Sequence, residues 1–154
     1  MLNYSHKLST HNAKGVLHMV KVIMGLKGDG KTKKLIDLVK KATTEEHGDI
    51  VCIEKNAELT YDIPYSVRLV KLSQYKISGY TFLKGFLCGL QAGNYDITHI
   101  FMDGLFKLVG NESDNEAEEF LDWCDSFSER EGVKFTITIS SDAELATPGM
   151  KKYL

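Results

Sequence analysis

The stretch from Met19 to Thr32, MVKVIMGLKGDGKT, constrains the fold of this chain more than any other. Val20, Val22 and Ile23, with Met24, form a short apolar run rich in β-branched residues and read as a buried strand. The run leads straight into Gly25-Leu26-Lys27-Gly28-Asp29-Gly30-Lys31-Thr32, a G-x-x-x-x-G-K-T pattern. The spacing after it predicts a helix over 31–46, with Leu35, Ile36, Val39 and Ala42 on one face. Strand, glycine loop and helix in that order are the context that makes such a pattern a phosphate-binding loop.

Each residue type in the loop has a chemical reason. Gly25, Gly28 and Gly30 permit backbone conformations that a Cβ forbids and allow close approach to phosphate. The amides from Gly25 through Leu26 and Lys27 to Thr32 are expected to form an inward-pointing nest at the positive end of a helix dipole. Lys31 adds a full charge for the β- and γ-phosphates, and the Thr32 hydroxyl suits a Mg²⁺ site. Asp29 is the odd choice, since an anion beside phosphates is repulsive, and its side chain is expected to face solvent.

A second landmark lies downstream. Ile97 to Asp103, ITHIFMD, reads as a mostly apolar strand ending in an acid, the form of a segment that holds Mg²⁺ through Asp103. His99 within it reads as a packing or hydrogen-bonding residue of the sheet. Another strand, Ile50 to Ile53, ends at Glu54. The last, VKFTITI over 133–139, ends at Ser140, whose hydroxyl would sense a γ-phosphate; the same residues also suit a plain polar strand-to-loop turn.

The rest of the chain supplies structure. Leu59–Ile63 and Val67–Val70 are short apolar runs around Pro64, which predict a hairpin or an excursion at a sheet edge. A helix is expected over 78–93, with Phe82, Leu83, Phe86, Leu87 and Leu90 on its apolar stripe. Gly85 and Gly89, four apart, are expected to let it lie close to a neighbour. Ser113 and Glu116 form a capping box that opens an acidic helix reaching Glu131, a solvated face with a protein-docking surface as the alternative. Gly48 is read as the stop of the first helix.

Composition narrows the class. With 154 residues, one domain with a real core is expected over 19–154, preceded by a flexible leader over 1–18 that is polar and aperiodic. A net charge of −2 from 19 basic and 21 acidic residues indicates neither nucleic acid nor an anionic membrane. Cys52, Cys88 and Cys124 include no C-x-x-C pair and read as thiols of a reducing compartment. Nothing resembles a signal peptide or a spanning segment, so a cytoplasmic location is expected. Only Arg68 and Arg130 are arginines, which leaves few groups for bidentate phosphate clamps.

The loop, Asp103 and the order of elements together resemble P-loop NTPases with a RecA-like ATPase core, and short bacterial ATP-binding proteins of that kind. The resemblance runs from Val20 to Ser141. It implies an α/β three-layer sandwich with a mostly parallel central sheet, ATP and Mg²⁺ as cofactors, and Lys31 and Glu54 as catalytic residues. Glu54 matches the glutamate that activates water in RecA-type recombinases, while Gly104 stands where many related ATPases carry that glutamate after the metal-binding acid. The chain departs from the recombinases in lacking an identifiable DNA-binding loop. It departs from twitching-motility ATPases in lacking their His-rich box, and from zinc-type thymidine kinases in lacking their cysteine-held lasso. Three functions fit: a Mg²⁺-dependent ATPase of slow turnover, a nucleotide-binding module whose surface a protein partner or a second copy reads, and a small-molecule kinase.

Overall fold

The computed structural model describes residues 18–76 and 78–154. The expected leader therefore lies outside the described residues except for His18, which contacts Asp125 at 3.2 Å and meets the Tyr153 ring edge-on. Among the described residues the chain is α/β. Five strands, β1 (Val20–Gly25), β2 (Asp49–Glu54), β3 (Arg68–Lys71), β4 (Ile97–Met102) and β5 (Lys134–Ser140), form one sheet in the order β1-β5-β4-β2-β3. Every pairing is parallel.

Parallel pairing requires long crossovers, and these cover the sheet on both faces. Helix α1 (Lys31–Glu45) buries Leu35, Val39 and Ala42 against Ile50, Cys52 and Phe101 on one face. Helices α2 (Tyr80–Gly93), α3 (Leu105–Val109), α4 (Asp114–Glu131) and α5 (Pro148–Lys151) build the larger core around Val51, Ile53, Ile100, Met102 and Ile137 on the other. Adjacent residues of β2 thus enter opposite cores, as the two-residue period of a strand dictates. Among the described residues, no helix is long and apolar enough to cross a membrane.

Four local expectations are corrected. The run Leu59–Ile63 is not a strand of a hairpin; it forms turns that bury Leu59 and Ile63 beside α1, in the place a crossover helix would take. Only Arg68–Lys71 pairs, parallel to β2 at the edge of the sheet, so of the two expected forms the sheet-edge excursion is found and the hairpin is not. Gly85 and Gly89 face open space, so α2 makes no close helix contact through them. Cys88 is exposed on the same helix, unlike the buried Cys52 and Cys124. Gly48 lies beyond the α1 terminus and is required by contact, since a Cβ there would lie 2.0 Å from Thr98 Cγ2 and 2.6 Å from the Asp96 carbonyl.

The helix over Asp114–Glu131 carries half of its expected capping box. Ser113 Oγ accepts the Glu116 N–H at 3.3 Å, while the Ser113 N–H donates to Asn111 Oδ1 at 3.2 Å in place of the Glu116 side chain. His99 behaves as read. Its ring stacks on Phe101 with centroids 4.0 Å apart, and its nitrogens contact Glu46 at 2.7 Å and Thr136 at 2.9 Å. Burial pushes the Glu46 carboxyl upward, but the His99 hydrogen bond and charge, with those of Lys134, outweigh it and hold the pKa below its ordinary value of 4.5. A carboxylate with a depressed folded-state pKa contributes stability above the unfolded value and loses it as pH falls through the folded value. Denaturant midpoints measured as a function of pH should therefore drop below about pH 4.5. Glu46→Gln should be less stable at pH 7 and show a shallower acid limb.

Candidate functional site

The register of three strands brings the site together. Gly25 at the end of β1 pairs with Ser140 at the end of β5, and β5 in turn pairs with β4 so that Met102 lies opposite Ile137. The loop after β1, the tip of β5 and Asp103 therefore meet at one edge of the sheet. Between them and the end of β2 lies an open cleft of about 370 Å³, lined by Lys27, Gly28, Gly30, Lys31, Thr32, Glu54, Asp103 and Ser140 among others.

Gly30 caps α1 at φ 77°, a left-handed conformation that suits glycine, and α1 has no side-chain cap and no acid in its first turn. The first-turn amides are thus left without intrahelical partners at the positive end of the helix. Thr32, in that first turn, places its Oγ1 3.3 Å from both oxygens of Asp103, 71 residues away in sequence. The Lys31 ammonium donates to the Leu26 carbonyl at 3.0 Å.

Thr138, not singled out from the sequence, holds Asp103 in place. Its hydroxyl donates to Asp103 Oδ1 at 2.8 Å and accepts the Gly104 N–H at 2.7 Å. It fixes the carboxylate and the turn after β4, where Gly104 adopts φ 77°. The alternation in FTITIS carried the signal: Thr136, Thr138 and Ser140 share one face of β5. Lys55, Asn56, Glu58 and Lys107 also line the cleft and were not singled out.

Glu54 reaches the cleft but is only 3% exposed. Its Oε1 accepts the N–H of Glu58 at 2.8 Å and of Leu59 at 3.2 Å, and its Oε2 accepts the Leu59 N–H at 3.1 Å. Burial pushes its pKa above the ordinary carboxylate value, aided by the charges of Glu58 and Asp103 and opposed by the two amides. The side chain thus anchors the turn after β2 as well as facing the cleft.

Gly25, Leu26 and Asp29 stand outside the cleft lining. Asp29 is exposed, as expected, yet its carboxylate is not free, because Oδ2 accepts the Leu26 N–H at 2.7 Å. Gly25 does not need a left-handed backbone; it is tight instead, with the Asp29 Oδ2 3.0 Å from where its Cβ would lie.

Thr32 and Asp103 make a short donor set for a cation. Among the described residues, no group of three or more His, Cys, Asp or Glu side chains gathers to cage a metal. One hydroxyl and one carboxylate fit Mg²⁺, which keeps waters and takes further ligands from substrate phosphates.

No known family's sequence profile matches the chain, and no curated protein matches it.

Replacing Thr138 by valine keeps its shape and removes its hydroxyl. Asp103 Oδ1 and the Gly104 N–H would each lose a partner, so Thr138→Val should lower unfolding free energy by about 1–3 kcal/mol. Urea titration of the two proteins checks this.

Proposed function

We propose that this protein is a P-loop NTPase of RecA-like type that binds ATP with Mg²⁺ and hydrolyses it slowly. The observation that carries the reading is the approach of Thr32 Oγ1 to both Asp103 oxygens at 3.3 Å, beside Lys31 and the uncapped start of α1. A nucleotide phosphate chain meets amides and Lys31 there, and Thr32 and Asp103 hold the metal. When bound, Mg²⁺ neutralises charge on the phosphate oxygens. Ser140, exposed at the tip of β5 and lining the cleft, would stand within reach of the terminal phosphate.

Slow turnover follows from what faces that phosphate. The cations that line the cleft are lysines, namely Lys27, Lys31, Lys33, Lys55 and Lys107, with no arginine among them. A guanidinium finger contributes on the order of 10³–10⁵ in rate where it is present. Glu54 is the candidate for orienting water. A carboxylate offers about four acceptor sites, so the amide contacts from Glu58 and Leu59 leave capacity for one more bond.

A second reading draws on the same geometry. Because Glu54 already anchors the turn after β2, it serves equally as a structural clamp in a nucleotide-binding module that a protein partner or a second copy reads.

Calorimetric titration of ATP with Mg²⁺ should show binding to the wild-type protein and a loss of at least about tenfold in affinity for Lys31→Ala, the scale of one charged hydrogen bond. Equal affinities would reject the nucleotide site. Single-turnover hydrolysis should run slower than about one event per second. Glu54→Gln should slow it further while binding stays within about threefold of wild type, since the glutamine carbonyl still accepts amide bonds. Equal rates would favour the binding module.

A further inference from the structure

We infer that Asp29 is a positioning residue that clasps the phosphate loop into its binding shape; the inference rests on the nucleotide-binding reading above. An acid at this place in the loop calls for explanation, because its charge opposes the phosphates it stands near. The geometry supplies one. Leu26 and Asp29 are bonded to each other twice across the loop. The Asp29 N–H donates to the Leu26 carbonyl at 3.1 Å, and the Leu26 N–H donates to Asp29 Oδ2 at 2.7 Å. The same Leu26 carbonyl receives the Lys31 ammonium at 3.0 Å.

Leu26 is thereby a hub that acts through its backbone, for its side chain is 55% exposed and contributes little packing. Neither Leu26 nor Asp29 lines the cleft, although Lys31, which bonds to the Leu26 carbonyl, does. Gly28 and Gly30, at φ 95° and 77°, enclose Asp29 in sequence and give the segment freedom that something must remove. Gly25 is shaped to the clasp as well. A Cβ there would lie 3.0 Å from Asp29 Oδ2 and 3.1 Å from Asp29 Cβ, so a larger residue would crowd the carboxylate that accepts the Leu26 N–H.

The two roles open to Asp29 predict opposite signs. If it acted only as a charge near the phosphates, Asp29→Ala and Asp29→Asn would both bind ATP more tightly than wild type. A clasp gives a different pattern. Asp29→Ala loses the acceptor and should bind ATP with Mg²⁺ about tenfold more weakly, the effect of one charge-assisted hydrogen bond. Asp29→Asn keeps a carbonyl acceptor and should stay within about threefold of wild type. Because the residue is exposed, the thermal midpoint of the three proteins should agree within a few degrees.

Amide hydrogen exchange on the ligand-free protein tests the clasp without any nucleotide. The Leu26 amide should be protected in wild type and Asp29→Asn and should exchange at least about tenfold faster in Asp29→Ala. A Leu26 amide that exchanges freely in wild type overturns the inference, and so does tighter or unchanged ATP binding by Asp29→Ala. If exchange follows the expected pattern while wild type binds no ATP, the clasp stands and the nucleotide reading falls.

Discussion

Strand register is the constraint on which this site depends. Parallel pairing places β5 between β1 and β4, with Gly25 opposite Ser140 and Met102 opposite Ile137. In a parallel sheet all strands end at the same edge, so residues just past three strands must collect there. A slip of one residue in β5 would turn Thr138 into the opposite core and remove the bond that orients Asp103. The buried residues of β5 guard against that slip. Phe135, Ile137 and Ile139 fill one core, and Thr136 and Thr138 face the other with hydroxyls bonded to His99 and Asp103.

Two carboxylates at opposite ends of β2, Glu46 half-buried and Glu54 buried, show how the same chemistry serves different ends. Glu46, just before the strand, sits against His99 and Lys134, and these partners outweigh burial and favour its charged form. Glu54, at the strand's other end, has backbone amides for partners and the like charges of Glu58 and Asp103 nearby, so burial prevails. The acid away from the cleft is thus held charged. The acid at the cleft has its pKa pushed above the ordinary carboxylate value instead.

The sequence made the loop, the strands leading to Gly25, Glu54 and Asp103, and the capped acidic helix legible, because each rests on local signals: a glycine pattern, β-branched runs, and Ser113 with Glu116. What it hid depends on contacts between distant segments. Gly48 reads as a helix stop until Thr98 and Asp96 are seen against it. Gly85 and Gly89 read as a packing pair, yet no neighbour among the described residues meets them. Leu59 and Ile63 carry a strand's composition but cover the α1 face as turns, where burial of two side chains outweighs β-propensity. Thr138 is one hydroxyl in an ordinary strand pattern, and only the register with β4 gives it a role. The leader, apart from His18, lies outside the described residues.

The choice of cations completes the picture of the cleft. A lysine ammonium is a compact, strongly hydrated charge on a flexible stem, while a guanidinium presents a planar fork that grips two phosphate oxygens at once. Five lysines surround this cleft, against three carboxylates from Glu54, Glu58 and Asp103. Such a lining attracts a polyanion from several directions without fixing its oxygens. The geometry of the cleft is set instead by the first-turn amides of α1, the Thr32 hydroxyl, and the Asp103 carboxylate bonded by Thr138. Attraction and positioning are thus divided between flexible-stemmed lysines and groups held by hydrogen bonds or by the start of α1. On the nucleotide-binding proposal, such a cleft would hold a phosphate chain better than it would drive charge onto its terminal group, because transition-state stabilisation requires donors already aimed where charge develops.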